Sequence, residues 1–159
     1  MRKPFTAEQQ AASWKRRGLS PAKIFEECAT VLQELVRLLE ADSFGYCTCV
    51  SCGKRSLWND EMHGGHFIGR VVLSTKIVKR NINPQCTYCN NYNKEHSKVP
   101  YEQAIGERLA TRLRQLSSKT LEWPEAIARE RLAKRIVLWR KYIKRELERI
   151  EPHGHPVTV

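Results

Sequence analysis

The chain has 159 residues, of which 28 are Lys or Arg and 17 are Asp or Glu, a formal net charge of +11. A hydrophobic content of 41% excludes wholesale disorder, and no apolar run reaches the roughly 18 residues of a membrane-spanning helix. No secretory-signal pattern opens the chain, so a cytoplasmic protein is expected, with a polyanion, nucleic acid first, as partner and no membrane.

Residues 1–20 begin with Arg2, Lys3 and Pro4, include Trp14-Lys15-Arg16-Arg17-Gly18, and read as a loosely held basic arm with a single helical turn. Ser20-Pro21 resembles an N-cap followed by proline at the first helical position. Phe25, Cys28, Leu32, Leu35 and Leu39 then recur at helical steps, giving an amphipathic helix within 21–45 that ends near Asp42 to Gly45. Cys28 falls on that stripe and reads as a buried structural thiol.

Between residues 46 and 99 the helical period disappears. His66-Phe67-Ile68 and Val71-Val72-Leu73 read as strands, Asn83-Pro84 as turn chemistry, and Cys86 to Asn90 as the start of a short helix. Residues 100–152 form a C-terminal helical region: helix formers resume after Pro100 through Leu116, and a basic helix runs from about Pro124 to Ile150 on a stripe that includes Leu132, Ile136 and Ile143. Residues 153–159 read as a flexible tail. Charge is concentrated in two blocks, +5 over 47–99 and +5 over 125–150, with a nearly neutral stretch between them.

Four of the six cysteines form two Cys-x-x-Cys pairs, Cys49/Cys52 and Cys86/Cys89. Thiolates two residues apart can grip one face of a tetrahedral zinc, and two such pairs close the site, which makes the metal structural. Cys47 stands one residue from Cys49, the wrong bite for that turn. A zinc joining the pairs brings together the elements between them: His63, Gly64, Gly65 and His66, then Asn81, then Asn90 directly after the last cysteine. An imidazole, an orienting amide and an oxygen ligand for a hard cation are the components needed to hydrolyse a phosphodiester.

The order Cys49-x-x-Cys52, His66, Asn81, Cys86-x-x-Cys89, Asn90 resembles the zinc-bearing HNH nucleases, whose active site is the ββα-metal motif. Gly65-His66-Phe67, Arg80-Asn81-Ile82 and Gln85-Cys86-Thr87-Tyr88-Cys89-Asn90 are similar to the NinG (Rap) family of phage recombination proteins, over roughly residues 47–109. The resemblance implies an α+β fold, with a central zinc-stabilised ββα-metal core (treble-clef-like, residues 46–99) flanked by amphipathic helices. It implies a structure-specific endonuclease acting on branched DNA such as Holliday-junction or flap-like intermediates, in the host cytoplasm if phage-encoded. His66 is then the general base, Asn81 fixes the hairpin that carries it, and Asn90 gives an oxygen to a catalytic Mg²⁺ or Mn²⁺. Where many such nucleases have an acidic metal ligand this chain has Gly65, leaving His63, or Asp60 or Glu61, to complete the metal site. Arg70, Lys79, Arg80, Lys94, Arg135, Arg140, Lys141 and Lys144 are the expected DNA contacts. A homodimer and host or phage recombination proteins stay open as partners. The alternative is a non-catalytic treble-clef zinc module that binds nucleic acid through basic helices.

Overall fold

The computed structural model describes residues 5–120 and 125–150; the expected flexible tail lies outside them. Helix α1 (Ala7–Arg16) replaces the loosely held arm. Its reason is local: Thr6 and Gln9 form a reciprocal capping box, and Trp14 is fully buried against the rest of the chain. Helix α2 (Pro21–Leu39) starts under the Ser20 cap as expected and stops three residues before Asp42. The basic helix α6 (Glu125–Ile150) packs against both α1 and α2. Leu132, Ile136 and Ile143 of α6 enter one core with Phe25, Cys28, Leu32 and Leu35 of α2. Burial raises the Cys28 thiol to about 12, as expected of a structural cysteine. Near the end of α6, the Arg149 guanidinium donates to the Leu38 and Ala41 carbonyls at 3.0 and 2.9 Å, satisfying the end of α2.

Two small antiparallel ribbons sit on the other side of α2. Strands β1 (Tyr46–Thr48) and β2 (Arg55–Leu57) form the first; β3 (Met62–His66) and β4 (Ile82–Cys86) form the second, with His63 opposite Gln85 and His66 opposite Ile82. Of the expected strands, only His66 of His66-Phe67-Ile68 is extended, and in Val71-Val72-Leu73 the two valines are loop while Leu73 opens the four-residue helix α3 (Leu73–Lys76). The exposed Val71 and Leu73 had no sheet face to fill. Asn83-Pro84 lies within β4 rather than in a turn.

A 3-10 turn (Lys79–Asn81) precedes β4, and a π turn (Tyr88–Tyr92) follows it where an α-helical start was expected. Helix α4 (Lys94–Ile105) runs straight through Pro100, so the expected boundary at residue 100 does not exist. Proline there forfeits one backbone hydrogen bond, while Ser97 and Tyr101, one turn apart, are both buried and hold the helix. Gly106, at φ +82°, breaks the chain between α4 and α5 (Glu107–Ser117).

Replacing Trp14 by Ala is expected to cost about 3–5 kcal/mol in urea or thermal denaturation, the ordinary cost of deleting a buried aromatic. A loosely held arm would show almost none.

Candidate functional site

The four cysteines converge. The Sγ atoms of Cys49, Cys52, Cys86 and Cys89 all lie within 4.8 Å of one another, and those of Cys52 and Cys86 are 3.7 Å apart. A tetrahedron with Zn–S bonds of about 2.3 Å has edges of about 3.8 Å, so the cluster could hold zinc with little movement. Cys47 is excluded by its surroundings. Its thiol donates to the Arg37 carbonyl at 3.0 Å, and burial raises it to about 11. The first knuckle is held to the hairpin by Val50 N–H donating to Pro84 O at 2.9 Å and by Gln85 Nε2 donating to Ser51 Oγ at 2.8 Å.

Beside the clamp is a cleft of about 470 Å³ lined by His63, His66, Arg70, Asn90 and Lys94, together with Gln33 of α2. His66, Asn90 and His63, expected together from sequence, do share it, and Arg70 and Lys94 of the expected DNA contacts line it with them. Asp60 and Glu61 do not: both are exposed outside the cleft, and Glu61 is paired with Lys54. His63 lines it because position 63 faces the cleft on β3. Its Nε2 lies 3.0 Å from Thr87 Oγ1, and that hydroxyl donates to Glu61 O. The hydroxyl proton being spent, His63 Nε2 must be the donor, so that in the neutral imidazole the lone pair falls on Nδ1.

His66 is held from both sides. Its Nε2 bonds the Lys76 carbonyl at 2.9 Å, which fixes the proton on Nε2 and makes Nδ1 the acceptor. Nδ1 then receives the Gln33 amide at 3.3 Å. Burial, followed by the nearby Arg70 and Lys76 charges, lowers the His66 pKa below the ordinary histidine value against the opposing pull of the Lys76 carbonyl. Lys76 is itself buried and paired with Glu26, which also takes Arg70 at 2.7 Å. Glu26, Gln33 and Arg37 fall on one stripe of α2, opposite its apolar face. Arg37 continues the attachment by donating to the Trp58 and Met62 carbonyls, both at 2.9 Å.

Asn81 is not in the cleft. It is fully buried, in the 3-10 turn rather than on the strand facing His66. Its Oδ1 accepts from Ile68 N–H at 2.8 Å, and its Nδ2 donates to Ile68 O at 3.0 Å and Thr75 O at 3.1 Å. These bonds close the loop that delivers the Lys76 carbonyl, so Asn81 acts by positioning. Tyr101, which the sequence did not single out for the site, donates to Gly65 O at 2.8 Å and accepts from Asn83 at 3.2 Å.

The close fit explains the Gly64-Gly65 pair. A Cβ at residue 64 would lie 2.6 Å from Gln33 Cβ and 2.9 Å from its Cα; one at 65 would lie 2.8 Å from Gln85 Cβ. The bare position at Gly64 lets α2 reach His66, and the one at Gly65 accommodates the Gln85 side chain. A hydrogen bond from Gln33, one of several polar residues on the outer face of an amphipathic helix, had no local signal; the paired glycines were the available hint.

The eight expected DNA contacts scatter. Arg70 and Lys94 line the cleft, while Lys79 and Arg80 line a separate groove. Arg140 donates to Gln10 Oε1 at 2.6 Å and lies 3.6 Å from Glu27; Lys144 lies 3.8 Å from Glu148. Lys141 and Arg135 are exposed on α6.

The hairpin, the four-sulfur clamp and the basic cleft define an α+β protein built around a candidate zinc site. The model of the family described as Bacteriophage Lambda NinG protein matches residues 1–149, and the chain belongs to that phage recombination-associated family. No curated protein and no solved structure matches it. Among the described residues, no helix is long and apolar enough to cross a membrane.

Two outcomes are expected here. Natively purified protein should contain one zinc per chain, lost together with the central fold in Cys86→Ser, as circular dichroism and elemental analysis would show. Gly64→Ala should destabilise the chain by about 1–3 kcal/mol in urea denaturation through overpacking against α2.

Proposed function

We propose that the chain is a metal-dependent DNA endonuclease of HNH type that hydrolyses phosphodiesters in branched recombination intermediates. The observation that carries this is how His66 is held: its Nε2–H donates to a backbone carbonyl, which leaves Nδ1 as the acceptor. Its basic Nδ1 lies in a cleft with Arg70, Lys94 and Asn90. Family membership supports the branched substrate, and the excess of basic residues supports the polyanion.

In this reading Arg70 and Lys94 draw the DNA backbone into the cleft by pairing with phosphate oxygens. Water replaces the Gln33 amide at His66 Nδ1, a long contact that is readily exchanged. His66 removes the water proton as the oxygen attacks phosphorus. The bond to the 3′ oxygen breaks and that oxygen takes a proton from solvent water, leaving 5′-phosphate and 3′-hydroxyl ends. The free Nδ1 of His63 and the Asn90 side-chain oxygen are the atoms suited to a divalent cation such as Mn²⁺ or Mg²⁺. That ion would supply charge neutralisation at the departing oxygen. The Lys76 carbonyl keeps the imidazole in the productive tautomer throughout, and Asn81 holds the loop that carries it.

The Gln33 contact also favours a second reading, since a histidine satisfied at both nitrogens suits a purely structural role in a nucleic-acid-binding zinc module. His66→Ala separates the two. The nuclease reading expects single-turnover cleavage of a four-way junction to fall by about 10²–10⁴-fold, the usual value of a placed base, with zinc content and DNA binding retained. Cleavage at the wild-type rate would eliminate it.

The pH dependence follows from the lowered pKa. His66 is neutral at pH 7, so the rate sits on its plateau there and falls only as pH drops below the ordinary histidine value of about 6.5. The unfolded chain binds that proton first, so this histidine's contribution to stability is full above about pH 6.5 and declines as pH falls toward the lower folded pKa. A pH–rate profile and denaturation at several pH values check both limbs.

A further inference from the structure

A second groove, of about 930 Å³, opens at the far end of α4 from the cleft. Lys79 and Arg80 of the 3-10 turn face Arg108 and Arg112 of α5 across it, with Glu40 its one acidic lining residue. All four cations are exposed, and among the described residues none is engaged in an ion pair. Their neighbour Arg114 shows the contrast: it is tied to Glu102 at 2.8 Å and stacks over Phe67. Arg108 and Arg112 stand one helical turn apart, where like charges cost a helix a few tenths of a kcal/mol. Glu107 lies beside both, yet among the described residues neither arginine has an ion pair that would offset the repulsion, whereas a polyanion would supply one.

Helix α4 links this groove to the cleft. Lys94, Ser97 and Tyr101 line the cleft, and Ala104 and Ile105 line the groove. Eleven helical steps from Lys94 to Ile105 span about 16 Å, or about five base-pair steps of 3.4 Å along one strand. We infer that the groove grips the sugar-phosphate backbone of the same DNA that enters the cleft, about five base pairs from the phosphate held there. The groove's affinity for DNA stands by itself; its spacing from the scissile phosphate rests on the nuclease reading.

The test uses full-length zinc-loaded protein carrying His66→Ala, so that DNA is bound and not cut. Binding to a fluorescent 20-base-pair duplex is measured across salt concentrations, with and without Arg108→Ala plus Arg112→Ala. Each phosphate contact contributes about 0.9 to the slope of log affinity against log salt, so losing two should flatten it by about 1.8. Arg108→Lys plus Arg112→Lys keeps both charges and should restore most of the slope, provided zinc content and melting temperature match in all three proteins. An unchanged slope in the alanine variant overturns the proposal and leaves an acidic protein as the occupant of the groove. The spacing is read on a four-way junction, with one neutral methylphosphonate moved along an arm. It should weaken the parent but not the alanine variant at about five base pairs from the cut made by the wild-type protein; equal weakening of both overturns that placement. Undiminished cutting by His66→Ala would remove the nuclease reading while a flattened slope still upheld the groove.

Discussion

The distance between α2 and β3 governs the site. Gly64 lets the helix come close enough for Gln33 to touch His66, since a single methyl group at residue 64 would meet helix backbone, while Gly65 makes room for the Gln85 side chain of β4. From that approach follows the rest of the attachment. Glu26 draws in Lys76 and Arg70, and Arg37 caps the carbonyls at Trp58 and Met62. The loop bearing the Lys76 carbonyl is consequently braced from α2 on one side and by Asn81 on the other. Helix α2 thus works on two faces, apolar toward α6 and polar toward the hairpin.

The sulfur clamp contributes a different kind of order. Cys52 and Cys86 are 34 positions apart in the chain, and their sulfurs stand 3.7 Å apart. The two short ribbons have few apolar side chains of their own, so a metal in that cluster would add folding free energy where hydrophobic burial is thin. The second small core, Phe67 and Tyr101 with Ala110 and Leu113, sits on the far side of the hairpin and fixes α4 and α5 to it.

What sequence reading recovers here is what has a period or a fixed spacing. The apolar stripes of α2 and α6 and the Cys-x-x-Cys pairs are of that kind, and so is the chain order of His66 and Asn90. The polar stripe Glu26, Gln33 and Arg37 is invisible to the same reading, because charged and amide residues on a helix face normally mean solvent. Helix α1 was announced by Thr6 and Gln9, yet the surrounding Lys and Arg outweighed that short signal. Segment sums of charge concealed Arg108 and Arg112: nearby acids cancel them on paper, while in space Glu102 is given to Arg114. Pro100 marked a boundary that two buried anchors, Ser97 and Tyr101, override. The π turn has no period long enough to read.

The packing of α6 on α2 bears on how the chain matures during translation. The apolar face of α2 is complete once Leu39 has left the ribosome, but its partner ends at Ile150, 111 residues later. At bacterial elongation rates of about 5–20 residues per second, that interval lasts roughly 6–20 s. For its duration Phe25, Leu32 and Leu35 lack their neighbours on α6, and a nascent chain in that state offers chaperones an amphipathic helix. The hairpin and its cysteines emerge within the same interval, so metal capture can precede closure of the helical core.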